Sequence, residues 1–530
     1  MTAATQEPNG TTPAKDESKT SQDTEQNGSA GKTATREDGK DNRTFLQRYA
    51  FWITLMLSAM VDGLGYAVRG QYKYRFFHAK YEDELAEHNT TSGCGVKPPP
   101  EVQAIENKIT YETTQWNLYE LYITIVPVII ADVVIGMKSD QIGRRFLFLV
   151  SFFTSVIDFT LLAVIIRLNL HYGYSLIGLF VFGVSGASDG IIFASLALVS
   201  DTHGKRKSTS NSSDDKKAID DKNDDDDDND MDMSREYTRT FKIVLVYTIR
   251  KLASAMIAFA TGYIIQFAGF FYTAIIVIAW KVGLFVFAFA FVTETGQQKK
   301  STGFVAPLRY EWFEPFRRAT KNPRKRLTLL LVNLGLLFSV FSLVDEVDVL
   351  RTYQMSPPFC FTAVQLGWFN SENRLKGVMV IPLMWVWRKL HMTESTIAAV
   401  GLLSSAGGAL LLAVVRETWV FWARDLTISM AKAIISRMIG RNALASTFAV
   451  LMAAENMFWF AGSNATNYLY KASLDTVPTA PFYLAFASFV FSSLIFIVQT
   501  IHQRLHPDAI ADSTDTEKSV KTDEEESTRF

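Results

Sequence analysis

Polar and apolar positions alternate along this chain in long blocks, not at the short periods of a soluble domain. Runs of mostly apolar residues recur through the middle of the sequence, each close to the roughly 20 residues that a bilayer core demands. They fall at about 49–72, 114–135, 146–166, 174–198, 240–267 and 270–292, and again at 326–349, 364–387, 394–415, 418–436, 443–470 and 480–501. In lipid a backbone must satisfy its own polar groups, and runs of this length do so as helices. The pattern predicts an all-α membrane protein of twelve transmembrane helices in two six-helix bundles, at 45–295 and 326–504.

Between the runs lies polar punctuation. Residues 1–44 and 505–530 have no apolar period and are expected to be disordered tails. A polar loop is expected over 73–113 and a disordered acidic insert over 201–234, where five aspartates stand in a row from Asp224 to Asp228. Such a block of like charge repels itself, and a solvated loop is favoured over a cation site. A basic loop over 296–325 separates the halves.

Composition narrows the class further. Mean hydropathy is only +0.09 because the tails and the insert dilute the spans. A net charge of −1 gives no reason to expect a nucleic-acid partner. Two cysteines allow neither a disulfide-rich fold nor a cysteine metal site. The polar start predicts no cleavable signal peptide, with the first span serving as the signal.

Basic residues in short loops set orientation. Arg144 and Arg145, the central loop, Arg388 with Lys389, and Arg437 with Arg441 share one side if both termini are cytosolic. The loops holding Cys94 and Cys360 then share the opposite, oxidising side with Asn89, the head of an Asn-Thr-Thr glycosylation pattern. There a disulfide clipping the two halves is favoured, with two unpaired thiols as the alternative.

Charged groups inside spans are costly, so they face a cavity, a partner or an interface. The candidates are Asp62, Glu120, Asp132, Asp158, Asp189, Arg250, Lys281, Glu372, Arg374, Lys432 and Glu455. Lys281 and Arg250 are candidates for snorkelling. Asp189, Lys432 and Glu455 have a long apolar run on at least one side. With Asp62 they make the expected solute and proton pathway. No nucleophile–base pair or metal-ligand cluster stands out, so no enzyme, cofactor or metal is expected.

One loop stands apart. Gly136-Met137-Lys138-Ser139-Asp140-Gln141-Ile142-Gly143-Arg144-Arg145 joins the second and third spans. Its glycines permit a sharp turn and close helix approach, and its arginines anchor the turn on the cytosolic side. The pattern resembles the loop between helices 2 and 3 of the major facilitator superfamily, with Gln141 where that superfamily usually has arginine. Further stretches narrow the resemblance: Thr238–Leu245 after Asp201, Tyr353–Phe361 leading to Trp368, Ala431–Arg437, and Tyr468–Leu474. Together they resemble solute carrier family 46.

The resemblance implies a secondary transporter working by alternating access around a midplane site. Its cargo would be a folate-like or similar small organic anion, with protons as the coupling ion. It implies a gating role for Gly136, Asp140, Gly143, Arg144 and Arg145, a Cys94–Cys360 bridge, a glycan at Asn89, an acidic role for Asp189, and Lys432 in the place of an anion-binding arginine. The plasma membrane and an endolysosomal membrane both fit. Two positions depart: the family's helix 5 acid is Tyr247 here and its helix 7 histidine is Leu343. An uncoupled facilitator therefore stays open, as does a non-transporting receptor or scaffold.

Overall fold

The computed structural model describes residues 45–87, 99–192, 194–195, 225–292, 323–342, 349–376, 378, 386, 389–390, 392–415, 417–422 and 444–506. Among the described residues the architecture is helical, with no strand. The helices are α1 (Phe45–Lys80), α2 (Glu82–Glu87), α3 (Pro100–Ile142), α4 (Arg144–Leu168), α5 (Ser175–Val184), α6 (Asp225–Phe291), α7 (Pro323–Ser342), α8 (Val349–Met355), α9 (Ala363–Lys376), α10 (Glu394–Val414), α11 (Leu444–Ser473) and α12 (Ala480–Leu505). Eight of the described stretches are long and apolar enough to cross a membrane. One of them, Leu245–Phe291, has 47 residues, enough for two crossings. It is divided at Gly269, whose φ of 74° and ψ of 171° suit a glycine and break the helix where the fifth and sixth spans should part.

Eleven of the twelve expected runs therefore contain described helix. The tenth is represented only by a short 3-10 turn, Thr418–Phe421, and the rest of it lies outside the described residues. Three boundaries differ from expectation. The loop expected over 73–113 is mostly helix, because α1 runs 36 residues and α3 43. At 1.5 Å per residue these are about 54 and 65 Å long, well beyond a ~30 Å hydrocarbon core. Their polar ends carry ion pairs rather than loose chain. Residues 225–234, expected in the disordered insert, begin α6. An aspartate run at a helix start is favoured by the positive end of the macrodipole. The fourth span is interrupted after Val184, and the interruption turns out to be central to the site.

Packing follows the two-bundle plan. One core runs through α1, α3, α4 and α6 and includes Leu55, Leu64, Phe148, Phe152 and Val277. Two more belong to the second half: one joins α7, α10, α11 and α12, and the other gathers α8, α9, Phe421 and Phe482. The outward faces are apolar too: Ile130, Phe153, Met256, Val286 and Val414 are all more than half exposed. Water would penalise such faces, and lipid does not.

The halves meet along two antiparallel helix pairs. On one, α3 follows α11 residue by residue: Asn107 bonds Asp475 at 2.7 Å, Lys471 bonds Gln115, and Tyr122 bonds Asn464 at 2.5 Å. On the other, α6 and α9 touch through small residues. A Cβ at Gly367 would sit 2.8 Å from the Ala258 carbonyl oxygen. One at Gly262 would strike the backbone of Ala363 and Val364. Ser371 donates to the Ala255 carbonyl at 2.8 Å, and Phe259 stacks on Trp368. Close backbone approach through glycine is the usual way helices pair where no hydrophobic drive separates lipid from protein.

Candidate functional site

Two polar clusters lie at the seam between the halves, on either side of the broken fourth span. The first is centred on Asp62 of α1. Lys281 of α6 is 1% exposed and ion-pairs with Asp62, and Arg250 approaches its other carboxylate oxygen at 3.9 Å. Ser188 donates to that same oxygen at 3.3 Å. Arg374 of α9 and Arg351 of α8 lie close enough to interact electrostatically, with Arg351 stacked 4.2 Å over the Tyr66 ring. Among the described residues neither Arg351 nor Arg374 forms an ion pair. Four cations thus face one carboxylate, in a region where unpaired charge is expensive. Gly63, Tyr66, Gln71, Thr261, Asn370 and Arg374 line a small cavity here, bounded by α1, α6 and α9.

The second cluster is acidic. Asn456 of α11 donates one amide hydrogen to Asp132 at 2.7 Å and the other to Asp189 at 2.8 Å, with Glu455 within electrostatic range. One side chain of the second half thereby bridges two carboxylates of the first. The local chain explains how Asp189 gets there. After Val184 the chain turns at Gly186 (φ 77°) and Ala187 (φ 47°) before a helical turn resumes at Asp189. Gly186 has no side chain to collide with Ile135, whose Cδ1 would be 2.8 Å from a Cβ there. This break presents Ser188 to the first cluster and Asp189 to the second. Interrupted helices with freed backbone are where carriers of this architecture place their ligands.

Other charged candidates are internal to one half. Arg69 pairs with Asp158 at 2.5 Å, with both side chains no more than 10% exposed. Lys73 pairs with Glu120 at 2.5 Å, and Tyr172 donates to the same carboxylate. These tie α1 to α3 and α4 within the first bundle. Glu372 pairs with Lys376 one turn along α9.

The loop motif is placed only in part. Gly136 and Asp140 fall in the last turns of α3, and Gly143, with φ 91°, ends it. Arg145 donates to the Phe289 carbonyl and lies 4.7 Å over its ring, fastening the turn to the end of α6. The side chains of Asp140 and Arg144 lie outside the described residues, as do Lys432, Leu343, Asn89 and Cys94. Cys360 is disulfide-bonded. Tyr247 packs half-buried against the first core.

Of the residues the sequence reading named for the solute and proton pathway, the structure places Asp62, Asp189 and Glu455 near the seam. It missed Arg351, Ser188, Asn456, Gln71 and Asn370. Arg351 lies just past the apolar run of the seventh span. The available signal was on α1, where Gly63 and Gly70 share a face and invite a bulky partner.

No family model matches the chain. Among solved structures it is similar to the human organic anion transporter MFSD10, with a TM-score of 0.55 at 13% identity over 85% of this chain and 99% of that one. It is likewise similar to the nucleoside transporter NupG, with a TM-score of 0.52 at 9% identity over 86% and 99%. The fold is that of the major facilitator transporters. The protein is an integral, multi-pass secondary transporter and not an enzyme. Its sequence relatives narrow the class. It is 21% identical to the proton-coupled folate transporter of Bos taurus over 72% of this chain and 78% of that protein. It is 18% identical to the lysosomal proton-coupled steroid conjugate and bile acid symporter SLC46A3 of Mus musculus, over 81% and 90%. Solute carrier family 46 member 2 of Mus musculus is 23% identical over 45% and 56%. The resemblance to solute carrier family 46 is borne out.

Proposed function

We propose that this protein carries a small organic anion across its membrane by alternating access, with protons as the coupling ion. The observation that carries the reading is the charge imbalance at the seam: among the described residues, Arg250, Lys281, Arg351 and Arg374 gather around the single carboxylate of Asp62. Cations held in low dielectric favour an anionic partner far more than they would in water. The relatives named as carriers of folate, steroid conjugates and bile acids handle acidic solutes by name, which agrees.

The acidic cluster supports proton coupling. Asp132 and Asp189, carboxylates of two different spans, share the one side-chain amide of Asn456. Because Asn456 belongs to the other half, proton binding there bears directly on whether the halves hold or release. Tyr247 and Leu343 keep the uncoupled facilitator as the competing reading.

The further assignments rest on the same basis. The gating role of Asp140, Arg144 and Arg145 is supported by the anchoring of Arg145 on α6. A Cys94–Cys360 bridge is supported by the bonded state of Cys360 in a chain with two cysteines. Cytosolic termini, a glycan at Asn89, a helper role for Lys432, and residence in the plasma or an endolysosomal membrane complete the reading.

The test is an untargeted comparison of solutes accumulated by cells with and without the protein, at neutral and acidic external pH. Organic anions enriched more strongly at acidic pH, and lost with a protonophore, are the expected result. Enrichment confined to neutral or cationic solutes would end the anion reading. Anion uptake indifferent to pH and protonophore would favour the facilitator.

A further inference from the structure

The two seams between the halves are built differently. On α6 and α9 backbone meets backbone. A Cβ at Gly262 would stand 2.4 Å from the Ala363 carbonyl oxygen, and one at Gly367 would stand 2.8 Å from that of Ala258. Such a contact is dry, and a gap opened in it forfeits dispersion attraction before lipid can fill the space. On α3 and α11 the contact is made by side-chain tips. Asn107 holds Asp475 at 2.7 Å, the Lys471 ammonium lies 4.2 Å over the Tyr111 ring and donates to Gln115, and Tyr122 donates to Asn464 at 2.5 Å. From Asn107 to Tyr122 these rungs extend about 22 Å along α3, at 1.5 Å per residue. The Asn107 rung is exposed and the other two are part-buried, so water can replace each bond as it parts and the net cost of opening is small. Helix α3 also has its own bending point. Pro127 lies inside it, between Tyr122 and Asp132. Proline removes a backbone bond and kinks a helix, so the outer part of α3 can swing while Asp132, beyond the kink, keeps its bond to Asn456.

We infer that the two seams divide the work of opening: α6–α9 is the hinge, packed in both states, and α3–α11 from Asn107 to Tyr122 is the seam that parts when the carrier opens outward. The halves then swing like a door on one side instead of rocking evenly about both. Lys471 is the main clasp. It crosses from the second half, and its partners among the described residues are an amide and tyrosine rings. Neutral groups hold an ammonium less tightly than a carboxylate in the same place. The buried hydroxyl contact of Thr110 with Ser356, 3.0 Å between α3 and α8, is released by the same swing. A bond present in both states cannot bias one over the other, whereas a bond present in one state biases it by its net worth. This inference rests on the reading that the protein works by alternating access, and not on the identity of its solute or coupling ion.

The experiment uses the full chain in lipid nanodiscs, spin-labelled on introduced cysteines and kept free of reductant so that Cys360 stays bonded. Ala104→Cys with Ala472→Cys reports the outer end of α3–α11, and Gln266→Cys with Gln365→Cys reports α6–α9; all four positions are exposed. Distances are read by pulsed electron spin resonance at neutral and acidic pH. The expected result is a short and a long distance across α3–α11 and one unchanged distance across α6–α9. Lys471→Met should raise the ratio of long to short roughly tenfold, and Tyr122→Phe roughly threefold. Ser371→Ala removes a bond across α6–α9 that both states keep, so it should leave the ratio where it was. Equal movement at both seams, movement confined to α6–α9, or a ratio indifferent to both Lys471→Met and Tyr122→Phe overturns the hinge and leaves alternating access standing. A single distance across each seam, at both pH values and in every variant, overturns both.

Discussion

Replacing Asp62 by asparagine is the sharpest way to ask whether the charges at the seam are arranged as described. Lys281 is buried among apolar side chains, its ammonium also lying 5.7 Å over the Phe152 ring, and its ion pair among the described residues is with Asp62. Asp62 has more support, from Lys281, Arg250 and Ser188. The two halves of this pair are therefore not equivalent. Asp62→Asn keeps the shape and strands a buried cation, a loss of about 3–5 kcal/mol. Lys281→Met fills a similar volume with a neutral stem and leaves Asp62 near Arg250 and Ser188, so its cost should be less than half as large. The double variant removes both charges, and neutral replacement of a buried pair is often close to harmless. Heating the full chain in detergent and following the monodisperse fraction by size-exclusion chromatography reads these differences. Asp62→Asn should lose on the order of 5–10 °C. The Lys281→Met loss should be the smaller of the two, and the double variant should recover most of the Asp62→Asn loss. Equal losses from both single variants, or a double variant less stable than Asp62→Asn alone, would refute the assignment of Asp62 as the hub.

Three further outcomes are expected. Asp158→Asn strands Arg69 inside the first bundle and should cost about 3–5 kcal/mol, seen as lost expression and a lower melting temperature, with Arg69→Met in the same chain restoring much of it. Gly367→Val puts branched carbon against the Ala258 carbonyl, so α6 and α9 cannot close; uptake should fall to background in protein that still inserts and stays monodisperse. Thiol labelling of the unfolded chain should be absent before reduction and appear at Cys94 and Cys360 together after it, whereas labelling of the unreduced chain would break the assigned bridge.

The membrane class and most spans were legible in the sequence because lipid imposes one simple demand, an apolar run long enough to cross. Gly143 was legible as a turn because its neighbours on both sides were unmistakable spans. What could not be read was anything set by the approach of one helix to another. The bridge from Asn456 to Asp132 and Asp189 joins positions 324 and 267 residues apart. An asparagine in an apolar run carries no sign of its partner. The break after Val184 was visible only as a cluster of small residues, which equally fits close packing, and the structure uses those residues for both. Helical extension of α1 and α3 beyond the expected spans was hidden because Lys73, Lys80 and Glu112 look like loop residues until Lys73 pairs with Glu120 and Lys80 with Glu112. Arg351 was missed because it lies just past an apolar run, where arginine normally marks an interface.

The account stands or falls on transport itself. Purified protein in proteoliposomes, given a radiolabelled organic anion and an inward proton gradient, should take it up saturably and above equilibrium. The gradient should be required, and Arg374→Gln should reduce the uptake. Absence of flux for every organic anion tried, under any gradient and with folded protein in the bilayer, would contradict it.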